Sequence, residues 1–151
     1  MRIQRLDHVN LRTERLADTV HFYTEVLGLR CGDIPDGTPG AFFYDAGGVP
    51  VLHVMAIDRS KPQMVAKLEE RLGRRIPERL EGGGAVDHIA LGGDDYDAFR
   101  RHFEEKSVPY RIVSLPDGTP VQLVVMDPNG IPVEVNFRTP GSPSAPPAVV
   151  R

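Results

Sequence analysis

The feature that most constrains this chain is that it repeats itself. Leu6-Asp7-His8-Val9-Asn10-Leu11 returns as Val86-Asp87-His88-Ile89-Ala90-Leu91, 80 residues later. Asp45-Ala46-Gly47-Gly48-Val49-Pro50-Val51 returns as Asp127-Pro128-Asn129-Gly130-Ile131-Pro132-Val133, 82 residues later. Two motifs recurring in the same order imply two copies of one supersecondary unit. In 151 residues, two small copies must share the work of building a core. After each first motif comes an amphipathic stretch. Leu16, Val20, Tyr23 and Leu27 fall at helical spacing between Glu14 and Gly28, with Thr13 as the expected cap and Gly28 as the stop. Tyr96, Phe99 and Phe103 make the matching stripe between Asp94 and Lys106, capped by Asp94 or Asp95.

The remaining apolar runs are short and bounded by turn residues, as strands are. The expected strands are Ile3–Leu11, Leu29–Asp33, Gly40–Asp45 and Val49–Ile57, then Ala85–Leu91, Tyr110–Leu115, Val121–Met126 and Ile131–Phe137. Pro35-Asp36-Gly37-Thr38-Pro39 and Pro116-Asp117-Gly118-Thr119-Pro120 punctuate the two halves, and Asp127-Pro128-Asn129-Gly130 reads as a hairpin turn. The fold class is therefore α+β, with paired βαβββ modules at residues 1–57 and 85–138. Residues 58–84 form a linker in which 62–75 reads as a basic helix before Gly82-Gly83-Gly84. It is expected to be a solvated connector; the alternative is a basic lid that attracts an anionic substrate. Residues 139–151 read as a disordered Pro-rich tail.

A net charge of −3 leaves no footprint for nucleic acid. No apolar run approaches the roughly 20 residues that span a bilayer. Cys31 is alone, so there is neither a disulfide framework nor a thiolate cluster, and it is expected to pack rather than react. MRIQRLDHVNL has none of the features of a signal peptide, and a cytoplasmic protein acting on a small molecule is expected.

Strand alternation divides the side chains between two faces. Ile131, Val133, Val135 and Phe137 suit a helix-covered face, whereas Pro132, Glu134 and Asn136 take the other. By the same parity His8 and Asn10 share a face, as do His53 and Met55, and so do Val86, His88 and Ala90. Each module then sends two potential ligands to the face away from its helices. A carboxylate inside a sheet is costly unless it is paired or metal-bound, and three imidazoles with one carboxylate suit a divalent cation. This N/O set admits Fe(II), Mn(II), Zn(II), Ni(II) or Co(II). The metal ligands expected are His8, His53, His88 and Glu134, with Glu134 and His53 as candidate catalytic groups. Asn10, Met55 and Asn136 are the pocket candidates. One of Phe42, Phe43 and Tyr44 is expected at the pocket and two in the core. His21 and His102 are expected on the surface. His53 is the least secure of the four, because aligning Pro50 with Pro132 sets Leu52, not His53, opposite Glu134.

LDHVNL, HFYTEVLGL, VDHIAL and DPNGIPVEVNF resemble the vicinal oxygen chelate superfamily over about residues 3–138. This superfamily includes glyoxalase I, methylmalonyl-CoA epimerase, extradiol dioxygenases, and fosfomycin- and bleomycin-resistance proteins. The resemblance implies curved mixed sheets around one metal, with ligands at His8, His53, His88 and Glu134. It also implies Lewis-acid chemistry on a substrate bearing two neighbouring oxygens. Bacterial glyoxalase I carries a second carboxylate where this chain has His53. The expectation is therefore an O2-dependent, dioxygenase-like enzyme using Fe(II) or Mn(II). The alternatives are glyoxalase- or epimerase-type proton transfer with Glu134 as base, and a non-catalytic drug- or toxin-binding protein. A homodimer is expected, in which modules pair within one chain or between two.

Overall fold

The computed structural model describes residues 2–35, 37–116 and 120–137. The expected tail and the centre of the turn at 116–120 lie outside them. The chain divides into two compact units. Each holds one four-stranded mixed sheet in which the first and last strands of the module run parallel and the others antiparallel.

In the first unit, β1 (Val9–Thr13), β2 (Arg30–Gly32), β3 (Gly40–Tyr44) and β4 (Pro50–Ala56) are ordered β1-β4-β3-β2. The strand expected from Ile3 begins only at Val9, because β4 offers its first partner, Leu52, to Val9. Ile3 and Leu6 are exposed in consequence. The expected helix is split in two. α1 (Leu16–His21) runs into a π-helical turn, Phe22–Val26, that ends at Leu27, and Gly28 follows with φ +75°. The wider turn brings Phe22, Tyr23, Val26 and Leu27 all to the core, rather than a single stripe. Thr13 is not the cap residue: it closes β1, and its hydroxyl accepts from the Arg15 amide at 2.8 Å. α2 (Pro62–Leu72) starts on proline and stops at Gly73 in the left-handed conformation. The connector after it is pinned: Ile76 is buried, its amide donates to Glu69, and Arg59 donates to the Pro77 carbonyl.

The second unit contains β5 (Ile89–Gly93), α3 (Tyr96–Glu105), β6 (Tyr110–Ser114), β7 (Pro120–Met126) and β8 (Pro132–Phe137), in sheet order β5-β8-β7-β6. Asp95 caps α3 by accepting from the Ala98 amide at 2.9 Å. Val133 and Val135 are buried while Glu134 and Asn136 are half-buried, the alternation expected of β8. Phe103, Leu123 and Val125 complete this core.

Residues 127–131, which join β7 to β8, belong to the first unit. Asp127 and Asn129 are both buried there. The Asp127 carboxylate accepts from the Tyr23 hydroxyl at 3.2 Å, from the Asn129 side chain at 3.0 Å, and from the Asn129 and Ile131 amides at 2.8 Å each. Thr13 donates to Asn129 Oδ1 at 2.6 Å, and Asn129 Nδ2 donates to Thr19. A buried carboxylate is tolerable only when so fully bonded. Asp127→Ala or Asn129→Ala should therefore lower unfolding free energy in urea by about 2–4 kcal/mol. Burial, then the Asp127 charge and its hydrogen bond, push the Tyr23 phenol well above its ordinary range. The uncharged phenol is held in the fold, so its stabilisation is complete below the ordinary phenol range and fades as pH rises through and beyond it. Thermal unfolding scans above pH 10 should show a steeper alkaline loss in the wild type than in Tyr23→Phe.

Candidate metal centre

The ladders settle which residues correspond between the two sheets. Val9 pairs with Leu52 and Asn10 with His53, while Ile89 pairs with Val133 and Ala90 with Glu134. Since Asn10 and Ala90 are equivalent in the repeat, His53 and Glu134 occupy one position in two sheets. The alignment slip at His53 arises inside β4: Tyr44 pairs with Pro50 and Phe43 with Leu52, so Val51 is an extra, bulged residue that the second sheet lacks.

In the first unit His8 lies just before β1, and its ring centroid is 6.0 Å from that of His53. Two imidazoles binding one ion at about 2.1 Å place their centroids no more than about 6.5 Å apart, so this pair is within reach of a shared metal. His53 is held on two sides. Phe42 stacks on it at 4.1 Å with an interplanar angle of 18°, and Asn10 Nδ2 lies 2.9 Å from His53 Nδ1. In that contact the Asn10 amide nitrogen donates to Nδ1 and Nε2 keeps the ring proton. With the amide turned over, its oxygen would accept a hydrogen bond from Nδ1–H and free the Nε2 lone pair for a metal. Phe43 is fully buried against Tyr23, whereas Phe42 and Tyr44 are half-buried and in ring contact. One aromatic therefore enters the core, not two, because alternation along β3 turns its neighbours to the His53 side.

In the second unit His88 lies just before β5, as His8 lies before β1. Its Nε2 is 3.7 Å from Glu134 Oε2. Gln122 donates to the same carboxylate oxygen at 2.9 Å. The Asn136 side-chain oxygen, on the same strand face as Glu134, is buried with no hydrogen-bond partner among the described residues. Met55 is half-buried on the His53 face.

The sequence reading missed Asp7 and Asp87. Asp7 Oδ2 lies 2.9 Å from His8 Nδ1, and Asp87 Oδ2 lies 2.9 Å from His88 Nδ1. A carboxylate on one ring nitrogen fixes the tautomer and leaves the other nitrogen to a metal. The signal was present in the repeated Asp-His dipeptide. The donor chemistry of each pair thus suits a divalent ion: imidazoles oriented by carboxylates, and a carboxylate held by an amide. The structure brings His8 to His53 and His88 to Glu134; among the described residues no cluster of three or more His, Cys, Asp or Glu is gathered. Cys31 is exposed rather than packed, and its thiol is held above the usual value by desolvation and by Asp33, which does not favour the thiolate. No helix among the described residues is long and apolar enough to cross a membrane.

The Asp87 hydrogen bond, followed by the Glu134 charge, raises the His88 pKa above the ordinary histidine value. The stabilisation this gives is present below the ordinary histidine range and is lost as pH rises through the shifted value. An NMR titration of metal-free protein should show His88 titrating above the ordinary histidine value, and Asp87→Asn should move it back down.

The profile of the Glyoxalase/Bleomycin resistance protein/Dioxygenase superfamily matches residues 5–135. Among solved structures, the fold is similar to a lactoylglutathione lyase from Agrobacterium tumefaciens, with TM-score 0.63, 22% identity, and 90% of this chain and 95% of that one covered. It is similar to a putative glyoxalase family protein from Bacillus anthracis, with TM-score 0.62, 18% identity, and 92% and 100% covered. It is also similar to TnmS3, an antibiotic-binding protein from Streptomyces sp. CB03234, with TM-score 0.57, 20% identity, and 92% and 99% covered. No curated protein sequence matched the chain. With its duplicated βαβββ sheets and a family match running from residue 5 to residue 135, the chain belongs to the Glyoxalase/Bleomycin resistance protein/Dioxygenase superfamily.

Proposed function

We propose that this chain is a metal-dependent enzyme acting on a small molecule that presents two neighbouring oxygens, with His8, His53, His88 and Glu134 as the ligands. The observation that carries the reading is the duplicated carboxylate–imidazole pair, Asp7 with His8 and Asp87 with His88, each at 2.9 Å. A structural histidine has no need of the same orienting partner in both copies of a repeat. A divalent ion bound by these residues supplies Lewis-acid polarisation of the substrate oxygens. Asn10 and Phe42 fix the His53 ring, and Gln122 fixes Glu134. Dioxygenase-like, O2-dependent chemistry with Fe(II) or Mn(II) is favoured, because the set is His-rich with one carboxylate and His53 stands where bacterial glyoxalase I carries a second carboxylate. Proton transfer with Glu134 as base is the second reading. The carboxylate is half-buried and 3.7 Å from His88, so a proton can be held at Glu134 Oε2 beside an acid.

Elemental analysis of untagged protein should find about one divalent metal per chain, and His8→Ala and Glu134→Ala should each lose most of it. Iron-loaded protein prepared without oxygen should then consume O2 with a catechol or another enolisable substrate. Solvent deuterium entering a 2-oxo aldehyde adduct or acyl thioester without O2 would replace that chemistry with proton transfer. Tight ligand binding that survives metal removal and His8→Ala would make the protein a sequestering one.

The homodimer belongs to the same proposal. Ile3, Leu6 and Val86, close in sequence to His8 and His88, are 96%, 79% and 57% exposed. A second copy covering them removes apolar surface from water. Light scattering should give twice the 16.7 kDa of one chain.

A further inference from the structure

The first unit contains a cavity of about 1050 Å³ whose wall is formed by β1, the end of β4 and α2. Its polar lining is mostly cationic: Arg12, Arg59, Lys61, Lys67 and Arg71 against Glu14 and Asp58. Two of these cations are already neutralised, Arg59 by Glu14 at 2.5 Å and Lys61 by Asp58 at 3.0 Å. Arg12, Lys67 and Arg71 make no ion pair among the described residues. Arg12 is half-buried, and its guanidinium donates only to the Met55 sulfur, at 3.9 Å. Desolvation, and after it the Arg71 and Arg74 charges, act against its charged form. A part-buried guanidinium facing like charges, with a thioether as its acceptor, is an arrangement that an anion would relieve.

The repeat sharpens the point. Arg12 pairs with Met55 in β1 and β4, and the equivalent pair in the second sheet is Gly92 with Asn136. A Cβ added at Gly92 would meet nothing within 4 Å. The second copy thus has no side chain at this position, and only the first carries the cation, with Lys67 and Arg71 of α2 lining the same cavity. Apart from Thr38, the rest of the lining, with Met55, Met64, Val65 and Leu68 among it, is apolar. A wall of that kind suits a small organic molecule with one anionic end better than a bare ion.

We propose that Arg12, Lys67 and Arg71 form a binding site for the oxyanion, carboxylate or phosphate, of an otherwise apolar small molecule. Arg12 and Met55 lie two residues beyond Asn10 and His53 on the same strand faces, about 7 Å along the sheet. The anion site thus continues the His8–His53 half-site, and it selects substrates whose charged group lies at least that far from their reacting oxygens. Its assignment to the substrate rests on the metal-dependent reading above; the anion site itself does not.

The test is calorimetric titration of the full chain with phenyl phosphate, phenylacetate and neutral phenylacetamide, with and without EDTA. Both anions should bind more tightly than the amide, and the tighter of the two identifies the natural group. Lys67 and Arg71 are exposed on α2, so the double variant Lys67→Met/Arg71→Met should fold. It should weaken anion binding by about tenfold or more and leave phenylacetamide unchanged. Arg101→Met, an exposed site on α3, should bind as the wild type does. As an independent readout, Arg71→Met should raise the melting temperature of ligand-free protein by relieving repulsion with Arg12. Anion binding by the double variant within twofold of wild type overturns the proposal, as does equal weakening by Arg101→Met. Anion binding that persists in EDTA, in a protein found to hold no metal, would keep this site and refute the metal reading.

Discussion

The first unit is organised around one buried carboxylate. Asp127 makes no ion pair among the described residues; its carboxylate accepts from two backbone amides, a tyrosine hydroxyl and the Asn129 side-chain amide. Asn129 in turn holds Thr13, the last residue of β1, and Thr19 in α1. Five residues thereby fix the end of the strand that begins beside His8 and the helix that covers the sheet. Desolvating this network costs more than a comparable apolar cluster would. In return it allows only one seating of the 127–131 turn, because a shift by one residue strands several buried donors.

The architecture was legible because it is written twice. The repeated Asp-His motif, the hairpin signals and the alternation in β8 were enough to draw two βαβββ modules and to put Glu134 opposite the helix face. Boundaries were less legible, for a physical reason. Ile3 and Leu6 have strand-like character, but a strand exists only where a neighbour completes its hydrogen bonds, and β4 reaches back only to Val9. The π-helical turn at Phe22–Val26 was invisible because periodicity assumes one pitch. Asp127 and Asn129 read as ordinary turn residues; that they point inward depends on Tyr23 and Thr13, over 100 positions away.

The candidate site was legible in its residue types and less so in its supports. Pairing, not alignment, makes His53 the counterpart of Glu134, and so answers an ambiguity that spacing alone could not. Duplication gives both sheets one Asp-His unit and one ligand position on the last strand. Divergence then separates them: His53 lies under Phe42, while Glu134 is bonded to Gln122. The first copy also has Arg12, beside Lys67 and Arg71 of α2, where the second has Gly92. A common scaffold thus carries an imidazole stacked on an aromatic ring in one half and a carboxylate held by a glutamine amide in the other.

The place of residues 127–131 has a consequence for how the protein is made. Residues 85–126 are synthesised before the segment that completes the first unit. A chain emerging from the ribosome therefore holds the Tyr23 hydroxyl without Asp127 and the Thr13 hydroxyl without Asn129 until residues 127–131 are out. The N-terminal half cannot finish folding first, as successive domains usually do. Its closing contacts are long-range, and their loop-closure entropy comes due late. A nascent chain stalled before Asp127 would have its strands but not the buried turn that fixes them.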